Sequence, residues 1–301
     1  DSVVTGDAEN CWAGVLEDAG KGKLQPVYNS GPVEDPSQIR HDRSIFRGKH
    51  YSLIKPVQAV RGCRYNCSFC SIHKLYGGRV IQRDTADVVS EIQGIKAPFL
   101  FFVDDNLFVS FKKTAPLLNA LKVLKRRWVC QISIDAAWNN ELLDLLAASG
   151  CIAVFVGFES MDQKNLKELQ KSGNLRFLNY SMAVKNFRSR GIMVCGSFMF
   201  GNPYDSKESI LQALDFALKE KLCLCHFNVI FPTPGTALYN NLEKEKKLIY
   251  DKWWLNSEYR YGKAAFRPAG MTQEELCYYS YEARKDFNSF SNIACRALDF
   301  K

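Results

Sequence analysis

Six apolar runs alternating with amphipathic stretches predict an α/β fold built on a parallel sheet with right-handed crossovers. The run Pro98 to Val103 (Pro-Phe-Leu-Phe-Phe-Val) is continuously apolar over a strand's length, as a strand covered on both faces requires. Polar groups recur where successive runs end, which is where such folds place their chemistry. Taken in order, Val57 to Arg61 is the first strand. Thr85 to Ile95 is a helix capped by Thr85 or Asp84, with Val88, Val89 and Ile92 on one side. After the strand at Pro98 come a helix near Thr114 to Lys125, a strand Trp128 to Ile134 and a helix Glu141 to Ala148. A strand Ile152 to Gly157, a helix Leu175 to Arg190 and a strand Ile192 to Phe200 follow. The series closes with a helix Lys207 to Lys219 and a strand Leu222 to Ile230.

The loop after the first strand reads Gly-Cys-Arg-Tyr-Asn-Cys-Ser-Phe-Cys, so Cys63, Cys67 and Cys70 stand at x3 and x2 spacing. A four-iron cluster normally takes four cysteines, and three leave one iron open to bind and activate a small molecule. With His73, the same thiols offer the ligand set of a closed zinc site. Structural zinc sites usually pair two short knuckles, however, and here all four ligands would share one loop. A disulfide framework is disfavoured by 11 cysteines scattered through 301 residues without secreted-domain spacing. Cys130, Cys151, Cys195, Cys223 and Cys225 fall in or beside apolar runs, where cysteine behaves as a small buried hydrophobe.

The strand ends carry the remaining candidates. The second is followed by Asp104-Asp105-Asn106, and the third carries Gln131, Ser133 and Asp135 at strand spacing on a common face. The fourth ends Gly157-Phe158-Glu159-Ser160, the fifth Phe200-Gly201-Asn202-Pro203, and the sixth enters a rigid turn at Phe231-Pro232-Thr233-Pro234-Gly235. Tyr204 and Asp205 read as caps of the next helix.

In that order, the cysteine loop, Phe-Val-Asp-Asp-Asn, Val-Gly-Phe-Glu-Ser, Phe-Met-Phe-Gly-Asn-Pro and Pro-Thr-Pro-Gly-Thr-Ala-Leu-Tyr resemble radical S-adenosylmethionine (radical SAM) enzymes of the cobalamin-associated class. That class includes methylases of hopanoid lipids and of antibiotics, and the anaerobic cyclase of chlorophyll synthesis. The resemblance implies a partial (β/α)6 radical SAM barrel over residues 51–245, with a helical and aromatic carboxy-terminal extension over 246–301. It implies a [4Fe-4S] cluster on Cys63, Cys67 and Cys70, S-adenosylmethionine on the open iron, and a 5′-deoxyadenosyl radical that takes hydrogen from an unactivated carbon. Phe69 is expected beside the adenine, Asp104 or Asp105 at the methionine amine, and Ser133 and Glu159 at ribose or carboxylate. The family more often carries a Gly-Gly-Glu phrase where this chain has the aspartates. An electron donor such as flavodoxin or ferredoxin is implied as a partner.

The start, Val3-Val4-Thr5-Gly6-Asp7-Ala8-Glu9, reads as strand, glycine turn and helix. It resembles the last unit of the cobalamin-binding domain of that class, placing a remnant at 1–16 and a linker at 17–50. No Asp-x-His-x-x-Gly phrase occurs, so the usual lower-ligand histidine is absent. Cobalamin is therefore expected through further sequence or a partner, with weak or no binding by these residues alone.

Composition fits an ordinary globular enzyme, with 47% hydrophobic and 24% charged residues. No apolar stretch approaches the roughly 18 residues of a membrane span, and the first residues lack signal-peptide character, so a cytoplasmic setting is expected. The formal charge of +8 is dispersed in small clusters such as Lys122, Lys125, Arg126 and Arg127, which suit solvated helix faces. Three functions follow. The leading one is a radical SAM enzyme acting on a small or lipid-like molecule, by methylation or another outcome. The second acts on RNA, against which the lack of a recognisable RNA-binding module after residue 245 weighs. The third is a non-enzymatic zinc-stabilised binding protein.

Overall fold

The computed structural model describes residues 1–33, 41–46, 48–49 and 53–298. The chain opens with a parallel βαβ unit: β1 (Val3–Thr5) pairs with β2 (Val27–Asn29), and α1 (Trp12–Gly20) links them. The unit thus runs into the stretch read as linker, part of which (34–40, 47 and 50) lies outside the described residues. β3 (Ile54–Val57) begins the main sheet, and β4 (Val60–Arg61) pairs antiparallel with β5 (Ile81–Gln82) in a separate ribbon. The short α2 (Ile72–Tyr76) lies between the strands of that ribbon.

The expected first strand is therefore broken in two. Its physical cause is Asp104, whose buried Oδ1 accepts the backbone N–H of Ala59 (2.8 Å) and of Val60. Those two donors are satisfied by a side chain instead of a ladder, so the backbone leaves the sheet there.

The rest follows the alternation closely. α3 (Thr85–Gln93) is capped by Asp84, and β6 (Phe99–Phe102) pairs with β3. α4 (Phe111–Leu124) starts earlier than expected because Ser110 caps it. β7 (Arg127–Gln131) stops short of Ile134, and a 3-10 turn over Ile134–Trp138 places Ser133 and Asp135 beyond the strand. α5 (Asn140–Ala148) leads to β8 (Cys151–Glu159). The single helix expected over 175–190 is instead α7 (Ser172–Arg176) and α8 (Tyr180–Arg188), preceded by α6 (Gln163–Glu168). β9 (Met193–Phe200), α9 (Lys207–Lys219) and β10 (Leu224–Val229) complete the sheet. Asp205 does not cap α9, which Ser206 does; its carboxylate accepts the N–H groups of Gly201 and Asn202, both at 2.9 Å.

The sheet order is β3-β6-β7-β8-β9-β10, all parallel, the pattern of an open (β/α)6 barrel. One face is packed by the helices. Phe158, Phe198, Phe200 and Phe227 stack along it, and Tyr180, Phe216 and Phe287 close over them. Beyond the sheet, α10 (Ala237–Lys244) precedes an aromatic segment in which Trp253 meets Phe231 and Tyr259. α11 (Gln273–Phe287) then packs on β10 and α9, and α12 (Phe290–Ala297) follows. At the two sheet edges, carbonyls are taken by arginines: Arg43 donates to Pro56 O at 2.5 Å and Arg284 to Phe227 O at 3.1 Å.

Candidate active site

The other face of the sheet opens on a cavity of about 530 Å³. Of the candidates named from sequence, Cys63, Cys67, Phe69, Cys70, Asp105, Ser133 and Glu159 all line it. Asp104 does not. It is fully buried behind Ala59 and Val60, and its Oδ2 has no partner among the described residues. Burial pushes its carboxyl up to about 7, against the pull of the two N–H groups it accepts.

The cysteine loop is fixed at its start and along its middle. Gly62 has φ +90°, and a Cβ there would run into the Arg79 carbonyl, so only glycine fits. Its N–H donates to Asp105 Oδ2 at 2.8 Å. The middle of the loop is held by Ser68, whose N–H reaches Leu169 O (2.9 Å) and whose carbonyl accepts Leu238 N–H (2.9 Å). Arg64 pairs with Asp135, donates to Val109 O at 2.7 Å, and lies 5.0 Å over the Tyr65 ring. Asp135 therefore anchors the loop, whereas the expected strand spacing would have set it beside Gln131 and Ser133.

Among the described residues, no three His, Cys, Asp or Glu side chains converge closely enough to hold a single ion. His73 packs its ring against Gly78 and does not line the cavity. A Cys3His zinc site thus lacks its fourth ligand in place. The three thiols instead open onto one chamber without a fourth, the donor set of a four-iron cluster with one iron left accessible. Burial raises both Cys67, to about 11, and Cys70, so holding them as thiolates is costly unless a metal cluster compensates.

Charged groups flank the thiols. Glu159 is buried and sits at φ +65° where β8 breaks register against β9, a strained backbone of the kind that collects at functional sites. Its Oε1 accepts from Lys171 Nζ at 2.8 Å. Burial alone would lower the Lys171 ammonium, but Glu159 beside it holds it well above its ordinary value. Lys171 also lies 5.8 Å from the Phe69 ring centroid. Asn106 donates to Ser133 Oγ at 3.0 Å and accepts the Ser133 N–H at 3.0 Å, locking the third strand's exit to the second's. Carboxylates for an amine and an ammonium for a carboxylate are the set that would hold the amino-acid end of S-adenosylmethionine.

Lys171 was not legible as a site residue, because it follows the end of α6 and no strand points to it. His226 and Ser197 were legible in principle. They alternate with Phe227 and Phe198 on β10 and β9, so one set must face away from the aromatic core.

Residues 57–217 match the Radical SAM superfamily, and the chain belongs to it. Its members use a [4Fe-4S] cluster and S-adenosylmethionine, the groups that this donor set fits. Among curated proteins, the chain is 29% identical over 286 residues to the bacteriochlorophyllide d C-12(1)-methyltransferase of Chlorobaculum tepidum, covering 91% of this chain and 61% of that protein. It is 27% identical to the hopanoid C-2 methylase of Rhodopseudomonas palustris, covering 82% of this chain and 49% of that one. The chain thus spans about half to three fifths of these relatives' length. Among solved structures, it matches a radical S-adenosylmethionine methyltransferase, TsrM, from Kitasatospora setae, with cobalamin and a [4Fe-4S] cluster bound. That match has a TM-score of 0.58 at 22% identity and covers 75% of this chain and 46% of that one; it shows the fold. Among the described residues, no helix is long and apolar enough to cross a membrane.

Proposed function

We propose that this chain is the radical-generating part of an enzyme that modifies, by methylation, an unactivated carbon of an apolar, ring-containing small molecule. The observation that carries this reading is the single chamber shared by Cys63, Cys67, Cys70, Asp105, Glu159 and Lys171. The three thiols would hold the cluster. Asp105, on the chamber side of the aspartate pair, would take the methionine amine, and Lys171 its carboxylate. Ser133 and Glu159 would meet the ribose, and Phe69 the adenine. When bound, the cluster and S-adenosylmethionine supply a carbon-centred radical able to take hydrogen from a C–H bond. The chain's own task is to hold the target carbon close and keep competitors out, and the Phe101 and Phe155 rings, 5.8 Å apart in the chamber wall, give it an apolar surface.

The relatives' substrates, a bacteriochlorophyllide and a hopanoid, support an apolar ring system as substrate class. The amino-terminal βαβ unit supports a cobalamin domain beside the barrel, supplied by further sequence or a partner. It is clasped to the cysteine loop by Arg61, which pairs with Glu9 at 2.7 Å. A reduced carrier such as flavodoxin or ferredoxin would deliver the electron.

Anaerobic purification and reconstitution test the reading. The expected result is roughly equal iron and sulfide, with S-adenosylmethionine cleaved under reduction and both lost in Cys67→Ala. Zinc without sulfide, or a full cluster in Cys67→Ala, would overturn it.

A further inference from the structure

A second pair of thiols begins in the same chamber wall, at Cys195, and the proposed chemistry leaves it unused. Cys195, on β9, lines the cavity, and its Sγ lies 3.1 Å from Sγ of Cys223, just before β10. The two are brought together by the sheet itself: Cys223 N–H donates to Val194 O at 2.9 Å, and Leu224 is in register with Cys195. We infer that Cys195 and Cys223 form a dithiol that closes reversibly to a disulfide, a site of thiol oxidation in the cavity wall.

Three features, taken together, separate this pair from the chain's other cysteines. Its sulfurs already approach each other, so a bond needs only a small side-chain movement. Its members differ in access: Cys195 is 5% exposed, whereas Cys223 is half-buried and reachable. A buried cation stands nearby, since α12 places Arg296 beside Cys223 and Cys225, its guanidinium 3.8 Å over the Phe287 ring and donating to Phe287 O at 2.7 Å. The hydrogen bond from Cys195 lowers Cys223 below an ordinary thiol, and Arg296 adds to this, the setting of a reactive cysteine. Cys130 and Cys151 make the contrast. They also neighbour each other, but both are buried in the core of the sheet.

The exchange balances with a small-molecule disulfide as oxidant. The Cys223 thiolate attacks one sulfur of glutathione disulfide, forming a mixed disulfide and releasing one glutathione thiolate. The Cys195 thiol then loses its proton to solvent and attacks the Cys223 sulfur, releasing the second. The protein gives up two electrons, and one glutathione disulfide becomes two glutathiones. Closure also removes the S–H hydrogen of Cys195, held more weakly than the hydrogen of an unactivated C–H bond, from the chamber. That consequence rests on the proposed radical chemistry; the bond does not.

The test is peptide mapping of the anaerobically reconstituted protein, equilibrated in glutathione buffers of rising potential, then alkylated in denaturant and cut with trypsin. The expected product is a cross-link between peptides 191–207 and 222–244 that dithiothreitol reverses, with Cys225, Cys130 and Cys151 alkylated throughout. Cys223→Ser should lose the cross-link, and Cys225→Ser should keep it. A cross-link through Cys225, or free Cys195 and Cys223 at every potential, would overturn the inference. The presence or absence of the cluster, read from iron and sulfide in the same samples, reports on the proposed function separately.

Discussion

The two faces of the central sheet are built from alternate residues of the same strands, yet they do opposite things. Toward the helices, β8, β9 and β10 present Phe158, Phe198 and Phe227, each 1% exposed or less. Toward the chamber, the neighbouring positions are Gly157, Ser197 and His226. One face is filled by large rings that hold the fold, and the other is kept open by small and polar groups that leave space for ligands. Stability and chemistry are therefore separated by a single step along the chain, and a one-residue shift of register would exchange them.

That separation can be broken most visibly at its centre. Phe198→Ala should destabilise the fold by about 3–5 kcal/mol, because the stacked rings around it cannot collapse into the space. The adjacent Ser197→Ala should stay within about 0.5 kcal/mol. Urea unfolding followed by circular dichroism measures both, and equal losses would mean the two faces share the load.

The aspartate pair sharpens the contrast at the end of β6. Asp104 holds its proton to about pH 7 in the folded chain, whereas an unfolded aspartate releases it near its ordinary value of 3.8. Between those limits the unfolded state binds fewer protons, so stability is fullest below about pH 4 and is withdrawn as pH rises toward 7. The total is at most about 4 kcal/mol. Asp104→Asn cannot titrate, so its stability relative to the native chain should improve with each step of pH from 4 to 7. A difference that is flat with pH would refute the assignment.

Asp105 should behave otherwise, since it faces the chamber. Asp105→Asn keeps an acceptor for Gly62 N–H but loses the charge, and S-adenosylmethionine binding should weaken by about 1.5–3 kcal/mol. Asp104→Asn should leave that affinity nearly unchanged. Anaerobic titration of the reconstituted protein reads both, and the reverse order would exchange their roles.

Much of this architecture could be read from residues alone. The order of strands and helices follows from runs such as Phe99 to Phe102 and from one-sided apolar residues such as Val88, Val89 and Ile92 of α3. The cysteine loop was legible because three thiols at fixed spacing have few other uses. What escaped depends on contacts distant in sequence. Asp104 and Asp105 look alike in a string, but consecutive side chains point to opposite sides, and only the fold shows which one meets Ala59 and Val60. The interruption after β3 has the same origin, since its cause lies 45 residues away. Lys171 reaches Glu159 from a helix junction that no periodicity marks.

The arginines at the sheet's borders bear on how the protein behaves in a crowd. An open sheet leaves two strands with unpaired backbone, a template onto which another chain can add and so begin an aggregate. On β3, Pro56 has no N–H to offer and its carbonyl is occupied by Arg43; on β10, the Phe227 carbonyl is occupied by Arg284. At each border a newcomer strand meets a guanidinium on one of the carbonyls with which it would pair.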